Sequence, residues 1–107
     1  MKINIQPVHV KVDKNFEDLI IQKFEKLEKF FFDEPSVHLI IKKERFLYVM
    51  ESDVKSKALS LFVKESSEDL MNCLEMLIDK LKNKISKLHE KKIDMSHKKN
   101  ISAKEII

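Results

Sequence analysis

The sequence contains no glycine, so its hairpins cannot use the glycine turns that normally join paired strands. Its one cysteine, Cys73, has no partner for an internal disulfide. The opening stretch MKINIQPVHV holds no apolar run of signal-peptide length, and nothing approaches the roughly 18 apolar residues of a membrane span. These absences read as a soluble, cytoplasmic protein. The four histidines, His9, His38, His89 and His97, are scattered along the chain. None has the clustered company that a metal ion requires.

What is present fits one small domain. The chain has 107 residues, 43% hydrophobic and 36% charged, enough for a single modest core. The net charge of +3 conceals an asymmetry: residues 1–79 hold 12 basic and 15 acidic side chains, whereas residues 80–107 hold 9 lysines against Glu90, Asp94 and Glu105. A late concentration of positive charge points to a polyanionic partner, most simply the phosphates of a nucleic acid.

Hydrophobic periodicity gives six elements. KINIQ alternates as a short strand that Pro7 is expected to end. Asp13 stands as N-cap before a first helix, roughly Lys14 to Phe31, with Phe16, Leu19, Ile20, Phe24, Leu27 and Phe31 at helical spacing. Pro35 marks a turn at DEPS. The stretch from Val37 has strand composition and divides near Lys43 to Arg45, with alternations at Val37, Leu39, Ile41 and at Leu47, Val49, Glu51. After a break at KSK, Leu59, Leu61 and Val63 define a fourth strand. Ser66, Ser67 or Asp69 then caps a second helix, whose stripe of Leu70, Leu74, Leu77, Ile78, Leu81, Ile85 and Leu88 holds to about His89 or Lys92. The expected domain is 1–92, with a flexible tail at 93–107.

The order βαβββα implies an α/β (α+β) two-layer sandwich, a four-stranded sheet with both helices on one face and the other face open. With the valines and leucines turned toward the helices, His38, Lys42, Tyr48 and Ser60 would lie on the open face.

The segment DKLKNKISKLHEKK, residues 79–92, carries six lysines. On a helical wheel with Leu70 at 0°, Leu74, Leu77, Leu81, Ile85 and Leu88 fall between about −20° and +60°, and Lys80, Lys84, Lys87 and Lys91 at about 280°, 320°, 260° and 300°. These lysines form one flank. Lys82 falls on another arc with Glu75, Asp79 and Glu90 and, like Lys92, reads as solvated. In the first helix Lys23, Lys26 and Lys29 lie opposite Glu17, Glu25 and Glu28. Lysines near helix ends have structural reasons of their own, through snorkelling and the helix dipole, but two sorted stripes favour a phosphate-binding surface.

Catalysis has little to draw on. Cys73 sits at the edge of the second helix's apolar stripe, the position of a structural thiol and not of a nucleophile. The sequence reads as a non-enzyme without a cofactor.

Read from Met1, the stretches MKINIQPVHVKVD, FEDLIIQKFEKLEKFF, VHLIIKKE and EDLMNCLEMLIDKLKNKISKLHEKK resemble the ribosome hibernation promoting factor and ribosome-associated inhibitor family, over residues 1 to about 92. The most specific pieces are KFEKLEKFF and the positions Asp69, Leu70, Leu77, Ile78, Asp79, Lys80 and Leu81. The resemblance implies a fold like that of double-stranded RNA-binding domains. It also implies binding to the small ribosomal subunit in the messenger and transfer RNA channel near the decoding centre, which keeps the 70S ribosome inactive during starvation. By motif position Lys23, Lys26, Lys80, Lys87 and Lys91 match basic, RNA-contacting family positions, and Lys84 joins them from the wheel. Asn83 and Met71 depart from the family pattern, where many relatives carry arginine and tyrosine. Asn83 lacks the guanidinium fork for a bidentate phosphate contact. The length reads as a short form, expected to be monomeric when free. The competing reading is a protein-interaction module of the sigma-factor-modulation type, using the open sheet face.

Overall fold

The structure, a computed structural model, describes residues 1–31, 33–57 and 59–97, with the side chains of the last helix described as far as Lys87. The elements are β1 (Lys2–Val8), α1 (Lys14–Glu25), a 3-10 turn (Glu28–Phe30), β2 (Ser36–Glu44), β3 (Leu47–Lys55), β4 (Ser60–Ser67) and α2 (Leu70–His97). The sheet has the order β1-β2-β3-β4, with β1 parallel to β2 and the other pairs antiparallel. Ile20, Phe24 and Leu27 from the first helical segment and Cys73, Leu74, Leu77, Leu81 and Ile85 from α2 bury against Val37, Leu39, Ile41, Met50, Val54 and Val63 of the sheet. This is the expected βαβββα sandwich with one covered face.

Both helix starts follow from their caps. Asp13 accepts the Phe16 N–H at 2.8 Å and Asp69 accepts the Asn72 N–H at 2.9 Å, each satisfying a donor that the first turn leaves free. Ser67 supports the second cap by accepting from the Asp69 N–H (3.3 Å) and from Asn72 Nδ2 (3.0 Å).

Four details differ from the sequence reading. Pro7 does not end β1, which continues to Val8. The Lys2 N–H donates to Pro35 O, so the even-numbered N–H groups face β2 and the Pro7 nitrogen faces the free edge, where no donor is needed. The first α-helix stops at Glu25, and the chain tightens so that Leu27 donates to Phe24 O, Phe30 to Leu27 O and Phe31 to Glu28 O. Three residues per turn bring Leu27 and Phe30 onto one side, where both pack on the core. α2 runs past Lys92 to His97; the rest of the expected tail lies outside the described residues, as does the Leu88 side chain.

The fourth difference is Tyr48, which belongs to the helix-facing side. Arg45 and Phe46 form a two-residue connection, so Lys43 pairs with Tyr48, Ile41 with Met50, Leu39 with Ser52 and Val37 with Val54. Opposed residues share a face, placing Tyr48 with Met50 and Val54. The alternation was ambiguous because Val49 on the opposite side is buried as well.

Ser52 is fully buried, and its Oγ has no hydrogen-bond partner among the described residues. Leaving a hydroxyl desolvated and unpaired is unfavourable. Ser52→Ala is therefore expected to raise stability by about 1 kcal/mol, read as a higher urea midpoint at unchanged m-value. A midpoint at or below that of the parent chain would show that the hydroxyl is satisfied in solution.

Candidate nucleic-acid interface

The register of α2 follows from its buried line of Leu74, Leu77, Leu81 and Ile85. With that line on the sheet, the two polar flanks of the helix meet different neighbours. On one flank Lys80 Nζ lies 2.5 Å from Glu65 Oε2 of β4. Lys84 and Lys87, four and seven positions on, continue the same stripe and are exposed. Neither has an ion-pair partner among the described residues. Lys91 follows on this stripe by spacing, but its side chain lies outside the described residues.

On the opposite flank Glu75 Oε1 meets Lys23 Nζ of α1 at 2.5 Å. Beyond this bridge the two helical segments leave a groove of about 420 Å³, lined by Lys23, Lys26 and Lys29 from the first segment and Lys82 from α2, with Leu27, Phe30 and Ile78 as its apolar floor. Glu25 and Asp79 also line it, so its positive charge is partly offset. The Lys29 ammonium sits 5.4 Å from the centre of the Phe30 ring, which holds that lysine beside the groove.

The expected lysines are thus not one surface. Lys80, Lys84 and Lys87 lie on the β4 side of α2, while Lys23 and Lys26 lie on the α1 side. Lys23 and Lys80 have carboxylate partners within the fold, so phosphate would have to compete with Glu75 and Glu65 for them. Lys26, Lys84 and Lys87 have no carboxylate partner among the described residues, which leaves them open to an external anion. The sequence reading missed the company that Lys29 and Lys82 keep. Lys82, read as merely solvated, faces α1 across the groove, and its arc on the wheel, shared with Glu75, carried that signal.

The open face of the sheet is electrostatically self-contained. Lys42 bonds Glu51 at 3.0 Å and approaches Glu44 at 3.7 Å, Lys64 lies 3.9 Å from Glu51, and Lys55 lies 3.7 Å from Asp53. The hydrogen bond from Lys42 to Glu51 raises the lysine's pKa above its ordinary value. Lys64 and Glu51 are directly opposed, Lys42 reaches Glu51 diagonally across β2 and β3, and the other two pairs run along single strands. His38 Nε2 and Gln6 Oε1, 2.9 Å apart, are likewise diagonal neighbours on β2 and β1. Phe62 is the large apolar side chain most exposed on this face, 57% accessible.

Cys73 is fully buried. Its thiol lies 3.4 Å from Glu65 O and 3.6 Å from Tyr48 O, and burial pushes its pKa up. Such a thiol is a poor nucleophile at neutral pH. Among the described residues no group of three or more His, Cys, Asp or Glu side chains could hold a metal ion, and no helix is long and apolar enough to cross a membrane.

Comparison with known proteins follows the same lines. The chain is 25% identical over 91 residues to the ribosome hibernation promoting factor of Klebsiella oxytoca, covering 85% of this chain and 96% of that protein. It is 23% identical, with the same coverage, to the Escherichia coli K12 protein of that name. The fold superposes on the N-terminal domain of Thermus thermophilus Protein Y with a TM-score of 0.76 at 16% identity, covering 82% of this chain and 99% of that one. A ribosomal subunit interface protein from Coxiella burnetii gives a TM-score of 0.71 at 21% identity, covering 82% and 97%. A family model described as Sigma 54 modulation protein / S30EA ribosomal protein matches residues 3–93, and the chain belongs to that family.

Proposed function

We propose that this protein is a ribosome hibernation factor that binds the small ribosomal subunit through the lysines of its helical layer and keeps the ribosome from translating. The observation that carries this reading is the segregated flank of α2, where Lys84 and Lys87 stand exposed without partners among the described residues, in a chain whose relatives are named ribosome hibernation promoting factors. Lys80 and Lys91 extend that flank, and Lys23, Lys26, Lys29 and Lys82 supply a second basic region toward α1.

The mechanism requires no bond chemistry. Lysine ammonium groups displace counterions condensed on RNA phosphates, which supplies most of the binding free energy. A folded domain of this size, seated in the messenger and transfer RNA channel near the decoding centre, excludes those substrates sterically. Contacts to backbone and shape suit a structured ribosomal RNA, whose deep major groove side chains cannot read.

The test is co-sedimentation of the purified protein with small ribosomal subunits across a potassium chloride series. Affinity is expected to fall with a log-log slope of roughly −0.7 to −0.9 per phosphate neutralised, and saturating protein should inhibit translation in vitro. Binding insensitive to salt, or retention by a non-ribosomal protein partner instead, would favour the sheet-face interaction module and refute this reading.

A further inference from the structure

The β2–β3 hairpin ends in a feature that the fold does not need. Its two connecting residues are Arg45 and Phe46, between the paired Glu44 and Leu47. Arg45 holds φ at 58°, the left-handed region that glycine or asparagine enters far more readily than arginine. Phe46 is 82% exposed, the most exposed of the large hydrophobic side chains among the described residues. An aromatic ring on a strained turn contributes nothing to the core, so neither residue is explained by folding.

The surroundings say what kind of ligand suits the ring. Arg45 is exposed and without an ion pair among the described residues. The Lys43 ammonium lies 5.0 Å from the centre of the Tyr48 ring, bracing the base of the hairpin and adding a second cation behind the tip. The acid at the tip, Glu44, is drawn toward Lys42 at 3.7 Å. A flat apolar ring beside a free guanidinium matches an unpaired nucleobase and its phosphate: the base stacks on the ring and the phosphate meets the cation. An apolar pocket on a protein would use the ring but leave Arg45 without a role.

We propose that Phe46 stacks on an unpaired base of ribosomal RNA, with Arg45 contacting that nucleotide's phosphate, as a contact separate from the lysine flanks of α2. The tip lies at the end of the sheet where α2 begins, and Lys84 is about 20 Å further along that helix. The hairpin therefore touches a different part of the RNA from the lysines. This inference rests on the reading of the protein as a ribosome binder.

The test measures affinity for purified small ribosomal subunits with Phe46→Ala, Phe46→Leu, Phe46→Trp and Arg45→Ala, alongside ultraviolet cross-linking at zero length and mass spectrometry of the adduct. Base stacking is worth roughly 5- to 150-fold when the ring is truncated to alanine. Phe46→Ala and Phe46→Leu are expected to lose affinity alike, Phe46→Trp to keep it, and Arg45→Ala to weaken binding with a shallower salt dependence. The peptide containing Phe46 should carry a nucleotide adduct. All four variants should keep the parent circular dichroism spectrum and melting temperature, because the tip buries nothing. Unchanged affinity of Phe46→Ala, with the parent chain binding normally, would overturn this proposal and leave the proposed function standing. Full retention by Phe46→Leu, or cross-linking to a ribosomal protein, would replace the base with an apolar pocket. Failure of the parent chain to bind subunits would overturn both readings.

Discussion

Replacing Lys84 and Lys87 together with glutamate is expected to weaken co-sedimentation with small ribosomal subunits by roughly 25- to 60-fold or more at 0.1 M salt. Each lysine that neutralises a phosphate contributes about 0.7 to 0.9 decades at that concentration, and charge reversal adds repulsion to the loss. The pair isolates RNA contact from folding, because both side chains are exposed and lack partners among the described residues. Lys80→Glu is less clean, since it would set a carboxylate against Glu65. Adding Lys80→Glu and Lys91→Glu should abolish the association, with the circular dichroism spectrum still native. A parallel set, Lys26→Glu, Lys29→Glu and Lys82→Glu, asks whether the groove flank contributes as well. Lys11→Glu with Lys57→Glu changes net charge by the same amount on other exposed positions and should cost far less. Equal losses in the control and in the α2 pair would reduce the effect to net charge and remove the assignment of the flank.

Phe24→Ala is expected to destabilise the domain by about 3–5 kcal/mol. Phe24 is fully buried and belongs to the cluster that joins α1 to the sheet and to α2. Truncation removes the transfer free energy of the ring and leaves a cavity that β-strands on one side and α2 on the other cannot close. Against a typical total of roughly 5–15 kcal/mol, that loss should lower the urea midpoint by a large fraction and can leave the chain partly unfolded at 37 °C. Ribosome binding would fall with the folded population and recover on cooling. Phe46→Ala provides the contrast: the same deletion at the exposed tip should move stability by no more than about 0.5 kcal/mol. A loss below about 1 kcal/mol at Phe24 would mean that α1 contributes little to the core.

Much of this protein is legible in its sequence because the signals are local. The apolar spacing of Phe16, Ile20 and Phe24, and of Leu74, Leu77, Leu81 and Ile85, identifies both helices and the faces they bury. Asp13 marks the start of the first helix by satisfying a free N–H group, and the second start narrows to Ser66, Ser67 or Asp69, of which the structure uses Asp69. The burial of Cys73 follows from its place beside Leu74 and Leu77. The two-layer βαβββα class then follows, since each element must cover its apolar side and the helices have only one sheet to cover.

Tertiary structure decided the rest. A helical wheel gives the angle of each lysine about the axis but not what stands at that angle. Only the packing shows that Lys80 faces Glu65 on β4 while Lys82 faces α1, so that the lysines of α2 divide between two neighbours. Pairing is equally non-local: Pro7 is tolerated in β1 because that strand has a free edge, and Tyr48 faces the helices because a two-residue turn fixes its partner as Lys43. Which side chains bury is set by composition and period along the chain. Which charges are spent on each other and which remain for a partner depends on distances between segments remote in sequence, and those are fixed only when the layers pack.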